Sequence, residues 1–300
     1  MNRAFAIRGV IPPLFTPFVD RGDGLDEEAL RAHVQWLIEK GVHGLMPCGT
    51  TGEGVLLSPA ERRRVLEVVV ESAAHRVPVI AHVGTAATAE TVELARHAQT
   101  CGVEAVSVVT PYYFQLPDSA LVAHYCRVAE AVADTPVFLY NIPHCTGNAL
   151  SRAAVEAIVA RCPNVVGIKD SSGNLQTLKS FAGVDGGGFQ VVCGTDRLIV
   201  QALQAGACAC VSGHADVFPE VVVGLFQAFW QGDWERARRQ QEQLARISAV
   251  LSDGQPLSML KRGLELRGLR AGPVRPPLPD TMPEALAAAA SKLRSLQLLP

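Results

Sequence analysis

The run Val165-Val166-Gly167-Ile168-Lys169-Asp170 opens as an apolar strand and closes on a lysine. The chain has five lysines, Lys40, Lys169, Lys179, Lys261 and Lys292, against 22 arginines, so charge needed only for solubility is mostly supplied as arginine. Lys40 ends a helix before Gly41, where a cation suits the dipole, and Lys179, Lys261 and Lys292 fall in amphipathic helical stretches. Lys169 alone follows an apolar strand, near its C-terminal end. Burying an ammonium unpaired is costly, and the cheaper outcome is a lowered pKa that leaves a neutral primary amine. Arginine cannot respond in that way. Such an amine attacks ketones and aldehydes, and the protonated Schiff base it forms draws electrons from the adjacent carbon. The alternative is a lysine held by Asp170 or Glu53 in a buried ionic network.

Two further groups of residues could serve that chemistry. Pro47 to Gly54, PCGTTGEG, is a glycine-rich turn after a strand, where successive N–H groups and the hydroxyls of Thr50 and Thr51 can receive a carboxylate. It lacks the GxxxxGK[ST] of a P-loop and is not a dinucleotide fingerprint. Thr110 to Phe114, TPYYF, and Leu139 to Gly147, LYNIPHCTG, place Tyr112, Tyr113 and Tyr140 at strand ends, three of only four tyrosines. Phenol and threonine hydroxyls in series can carry protons between water and a reacting carbonyl or enamine.

The elements that must hold these groups alternate. Eight apolar, β-rich runs are expected as strands: 9–15, 44–48, 78–83, 105–110, 136–141, 165–170, 189–193 and 207–212. Most are continuously apolar, as when both sheet faces are covered. The stretches between them have helical period, with Asp26, Ser58, Thr88 and Ser151 as expected N-caps. This pattern predicts an α/β fold, a (β/α)8 TIM barrel with additional C-terminal helices, whose chemistry sits at the C-terminal strand ends. A doubly wound open sheet is the structural alternative. Residues 1–215 would supply the barrel strands and helices, and 216–300 the last barrel helix and a helical extension, in one structural domain. Expected helices there are 219–230, 234–251, 256–266 and 283–296, with the proline-rich AGPVRPPLPD, 271–280, as a stiff connector packed across the surface or a short linker.

Composition excludes several classes. A formal charge of -2 offers no basic field for a nucleic acid. No apolar run nears the roughly 18 residues that span a bilayer, and the N-terminus lacks the apolar core of a secretory signal, so a cytoplasmic location is expected. The eight cysteines show neither CxxC nor Cys/His metal spacing and read as reduced, mostly buried residues.

In combination and order, GTTGE, TPYY, YNIPxxTG and GIKDSSG, with GTD at Gly194 to Asp196 and a late VSG, resemble the dihydrodipicolinate synthase and N-acetylneuraminate lyase family of class I pyruvate-dependent aldolases. The resemblance spans essentially the whole chain. It implies a (β/α)8 barrel, a homotetramer built as a dimer of dimers, and a lysine Schiff base with pyruvate or another 2-oxo acid, without metal or organic cofactor. By motif, Lys169 would carry the imine and Tyr140 would handle protons at the reacting carbon and oxygen. Thr50 would join Tyr140 to Tyr113, which in this family commonly reaches in from a neighbouring subunit. Thr51 and the backbone at Gly49 would hold the pyruvate carboxylate, and Gly194 and Val211 would line its pocket.

Two positions depart from the family pattern. Two residues after Pro143, where the synthases typically carry an arginine for the carboxylate of the amino aldehyde, stands Cys145. The acidic pair that grips sugar hydroxyls in the neuraminate lyases appears as Asp196-Arg197. The reading that follows is a lyase joining pyruvate to an aldehyde or cleaving it from one, most like the 2-keto-3-deoxy sugar acid aldolases, with His144, Cys145, Asp196, Arg197, Ser212 and His214 shaping the aldehyde side. Its alternatives are a 4-hydroxy-tetrahydrodipicolinate synthase completed by an arginine from elsewhere, a dehydratase using the same imine, and a non-catalytic sensor of oxo acids.

Overall fold

The structure, a computed structural model, describes residues 5–19, 21–252 and 254–299. In chain order its strands are β1 (Gly9–Ile11), β2 (Phe18–Val19), β3 (Gly24–Leu25), β4 (Ile80–His82), β5 (Ala105–Val109), β6 (Val137–Asn141), β7 (Val165–Asp170), β8 (Gln190–Cys193) and β9 (Ala209–Val211). The chain divides into two compact units. One comprises residues up to Ile11 and Pro78–Val211, the other Pro12–Val77 and the chain from Ser212 on.

The first unit is built on a parallel sheet in the order β1-β9-β8-β7-β6-β5-β4. Every residue of β5 and β6 is buried, which is why these strands are mostly apolar and do not alternate. Helices Thr88–Thr100, Asp118–Ala131, Arg152–Arg161, Leu175–Ala182 and Ile199–Gln204 lie between successive strands. Ser151 caps its helix as expected, its Oγ accepting from Ala154 N at 3.0 Å. Thr88 does not cap. It is the first helical residue, and its hydroxyl instead meets His124 Nδ1 at 2.9 Å.

The second unit holds the β2–β3 hairpin and the helices Glu27–Glu39, Pro59–Ala73, Pro219–Trp230, Trp234–Leu251, Leu257–Arg262 and Pro283–Ser295. Ser58 and Glu61 form a capping box at the start of the second of these. The expected helix 256–266 breaks at Gly263 and resumes as the tight turn Glu265–Arg267. Residues 271–276 form a strap instead of a free linker, with Ala271 and Val274 buried.

Expected strands 78–83 and 207–212 shorten to Ile80–His82 and Ala209–Val211, and two others shorten for a common cause. The run 44–48 contributes only a single bridge at Leu45, and 9–15 is ordered as strand only through Ile11. The cause is Pro12-Pro13: neither has an N–H to donate, so pairing stops after Met46 N bonds to Pro12 O at 3.0 Å. The fold is therefore α/β with seven paired parallel strands among the described residues, and the expected eighth is not a ladder strand. No disulfide joins any of the eight cysteines, and Cys145 is the exposed one. No helix of the described residues is long and apolar enough to cross a membrane.

Candidate active site

In the first unit, Tyr140 and Lys169 are register partners on β6 and β7. Both are buried, and Lys169 Nζ stands 3.9 Å from the centroid of the Tyr140 ring. A third side chain, not expected from the sequence, joins them: the His82 ring packs edge-on against Tyr140, with centroids 5.8 Å apart. His82 ends β4 within the apolar run VIAHVG, and a histidine there was a signal in plain view.

The residue after Lys169 holds the strand ends in place. Asp170 accepts from Asn141 Nδ2 and Ser172 Oγ, both at 2.8 Å, while Asn141 Oδ1 accepts from Leu150 N at 3.0 Å. Burial raises the Asp170 carboxyl above its ordinary range, and these hydrogen bonds pull the other way. Gly194 N donates to Asp170 O at 2.8 Å, and Ser171 Oγ donates to Gly194 O at 3.2 Å. A Cβ at Gly194 would fall 2.0 Å from Ser171 Oγ and 3.1 Å from Lys169 Cε, so a side chain at this position would displace the serine hydroxyl and press on the lysine. Val211 is buried at the end of β9, paired with Ile11.

The segments beyond β5, β6 and β8 bring the other expected residues. His144 and Cys145 are exposed on the short helical turn Pro143–Thr146. Desolvation raises the Cys145 thiol, and the charge of Lys169 opposes that, so the two are within electrostatic reach. Asp196 and Arg197 start the turn Asp196–Leu198, and Arg197 Nη2 donates to Gly173 O at 3.1 Å. Tyr113 is 89% exposed, left-handed at φ 82, and edge-on to Phe114. Asn148 pins its loop, donating to the carbonyls of Pro111 and Phe114 at 2.8 and 2.7 Å.

The second unit carries the glycine-rich turn. Gly49 is buried, Thr51 half-buried and Thr50 exposed. Glu53 N bonds to Thr50 O at 3.1 Å and Gly54 N to Gly49 O at 3.0 Å, while Thr16 Oγ1 donates to Gly52 O at 2.7 Å. The Thr51 hydroxyl lies 3.7 Å from where a Cβ on Gly213 would be, which brings the turn beside Ser212. Ser212 Oγ accepts from Ala215 N at 3.2 Å, and His214, buried, pairs with Ser252 Oγ at 3.0 Å.

A second lysine is buried in an ionic contact. Lys261, expected in an amphipathic helical stretch, is fully buried and bonds to Glu53 Oε1 at 2.7 Å. Burial pulls its ammonium down to about 8, against the upward pull of Glu53. Among the described residues, no group of three or more His, Cys, Asp and Glu is placed to hold a metal ion.

The profile of the dihydrodipicolinate synthetase family matches residues 6–295. A 4-hydroxy-tetrahydrodipicolinate synthase of Methanopyrus kandleri is 39% identical over 297 residues, covering 99% of this chain and 98% of its own. An uncharacterized DapA-like lyase of Halobacterium salinarum is 42% identical over 293 residues, covering 98% and 95%. The crystal structure of YagE from E. coli K12, a dihydrodipicolinic acid synthase family protein in complex with pyruvate, superposes with a TM-score of 0.91 at 31% identity, covering 97% of this chain and 99% of its own. The chain belongs to the dihydrodipicolinate synthetase family and is a lyase of that family.

Proposed function

We propose that the protein condenses pyruvate with an amino aldehyde through an imine on Lys169, as a 4-hydroxy-tetrahydrodipicolinate synthase. The observation that carries this reading is the Lys169 amine 3.9 Å from the Tyr140 ring, at the paired ends of adjacent parallel strands. The name and near-complete coverage of the Methanopyrus kandleri relative favour the synthase over other lyases of the family.

In this reading the amine adds to the pyruvate ketone carbon, and water leaves as the imine forms. The protonated imine draws electrons from the methyl carbon, which gives up a proton to become an enamine. The enamine carbon bonds to the aldehyde carbon, whose oxygen takes up a proton; the amino nitrogen of the aldehyde partner then adds to the imine carbon, and the Lys169 amine leaves with a proton as the ring closes. The imine is itself the electron sink, so the reaction needs neither metal nor organic cofactor. Tyr140 moves the protons, with Thr50 and Tyr113 as further carriers. Thr51 and the backbone at Gly49 receive the pyruvate carboxylate, Gly194 and Val211 line the pocket, and His144, Cys145, Asp196, Arg197 and Ser212 face the aldehyde. The arginine expected near Cys145 is replaced in function by Arg197, whose guanidinium uses one nitrogen on Gly173 O.

The same reading takes the fold as a (β/α)8 barrel with extra C-terminal helices, in the cytoplasm, as a homotetramer. The exposure and left-handed backbone of Tyr113 suit a residue completed by a neighbouring copy. A second reading, a 2-keto-3-deoxy sugar acid aldolase, is favoured by one observation, the uncharged Cys145 within reach of Lys169.

Borohydride with pyruvate should add a reduced pyruvyl group to Lys169, and Lys169→Ala should abolish both trapping and turnover. Condensation with aspartate semialdehyde, followed by coupled reduction of the product, should exceed pyruvate release from 2-keto-3-deoxy sugar acids by about 100-fold or more. The reverse ranking would replace the synthase with the aldolase, and no trapping would remove both.

A further inference from the structure

The glycine-rich turn ends on a carboxylate buried where a turn residue is ordinarily solvated. Glu53 is 1% exposed and left-handed at φ 57. Its two oxygens have separate partners: Oε1 accepts from Lys261 Nζ, 208 residues along the chain, and Oε2 from the backbone N–H of Arg275, each at 2.7 Å. Lys261 also donates to Pro273 O at 2.6 Å and lies 4.3 Å from the centroid of the Phe18 ring.

The strap that supplies Pro273 and Arg275 is itself fixed. Gly272 is left-handed, and a Cβ there would meet Phe18 O at 1.9 Å. The Arg275 guanidinium makes two bonds to Glu61, at 2.9 and 2.8 Å, and others to the carbonyls of Gly22 and Leu56 at 3.0 and 3.1 Å. The strap therefore grips the chain at Glu53 and again at Glu61, on either side of the short segment leading into helix Pro59–Ala73.

We propose that Lys261 is a positioning residue for the reaction, setting through Glu53 the shape of turn 49–54 that receives the substrate carboxylate. This rests on the function proposed above and adds a residue that touches no substrate. The physical ground is that a buried ion pair is a weak source of net stability, because removing two charges from water offsets most of their attraction. Two fixed donors on one carboxylate do, however, leave the Glu53 side chain a single direction.

The turn has no slack to absorb a change in that direction. A Cβ at Gly52 would lie 2.6 Å from Leu14 O, and one at Gly54 only 1.9 Å from Cys48 O, so backbone rests on backbone on both sides of Glu53. Movement at Glu53 then passes through its bond to Thr50 O, and through Gly54 N to Gly49 O, into the residues that face the substrate.

The test uses full-length protein and follows borohydride trapping of pyruvate on Lys169, turnover at saturation and thermal unfolding. Wild type is compared with Glu53→Gln, Lys261→Met and the double variant. Lys261→Met alone leaves a carboxylate buried without its ammonium; should it fail to fold, the double variant, in which no charge is stranded, carries the test. The expected result for the double variant is melting within about 5 °C of wild type and about 10-fold more pyruvate for half-trapping, with saturated turnover changed less than about threefold. Lower melting with unchanged half-trapping would show a structural role only and overturn the proposal, as would no change in either. Wild type that pyruvate does not trap would overturn the pyruvate reading and this proposal with it, whereas intact wild-type trapping with an unaffected double variant removes only the role of Lys261.

Discussion

Alanine at Gly194 would put its Cβ 2.0 Å from Ser171 Oγ, 3.1 Å from Asp170 O and 3.1 Å from Lys169 Cε. The serine hydroxyl cannot stay, and rotating it away gives up its 3.2 Å bond to Gly194 O, about 1 kcal/mol. Overfilling a packed site adds about 1–3 kcal/mol, so a total near 2–4 kcal/mol is expected by urea unfolding. Carbon atoms rest at about 3.5–4.0 Å, so Lys169 Cε must retreat by about half an ångström. A misplacement of about 1 Å can cost about 100-fold in rate, which makes about 10-fold the expected loss in borohydride trapping of pyruvate. Adding Ser171→Ala removes the worst overlap and should recover about 1–2 kcal/mol, but it leaves the lysine displaced, so the trapping defect persists. Wild-type trapping and stability in Gly194→Ala would refute the packing described around Lys169.

Tyr140→Phe keeps the ring against Lys169 and removes the hydroxyl, so pyruvate trapping should survive while turnover falls about 100- to 10,000-fold; full steady-state activity would refute the proton-handling role. Gly54→Ala drives a Cβ to 1.9 Å from Cys48 O, a backbone atom, and should cost more than about 3 kcal/mol in urea unfolding, a loss under about 1 kcal/mol being the contrary result. His33 is fully buried, its Nε2 at 3.1 Å from Asp216 O, and burial lowers it from 6.5 to about 4. The unfolded chain therefore takes up the proton first, so stability is complete above pH 6.5 and declines as pH falls toward 4, by about 2 kcal/mol at pH 5. His124 shifts in the same direction, so His33→Phe should flatten the decline between pH 7 and 5 by about 2 kcal/mol, not abolish it, and an unchanged slope would refute the assignment.

Much of this architecture could be read from local pattern. Helices 219–230 and 234–251 lie where expected, because Pro219 can open a helix and Gly232-Asp233 both ends one and caps the next. The lysine of β7 was visible because a fully apolar run makes a single cation conspicuous. Run 44–48 failed for a reason outside itself, since its partner segment carries Pro12-Pro13 and cannot continue the ladder. Lys261 was not visible: its short helix reads as amphipathic, and no local feature points to Glu53, 208 residues earlier. Thr88 misled for a related reason, its hydroxyl taken by His124 from the next helix.

Pairing of Gly9 with Ala209 has a consequence for synthesis. At about 5–20 residues per second the first strand leaves the ribosome roughly 10–40 s before its neighbour is translated. Throughout that interval an apolar edge is open to other nascent chains, so nascent-chain chaperones should matter most for this N-terminal segment.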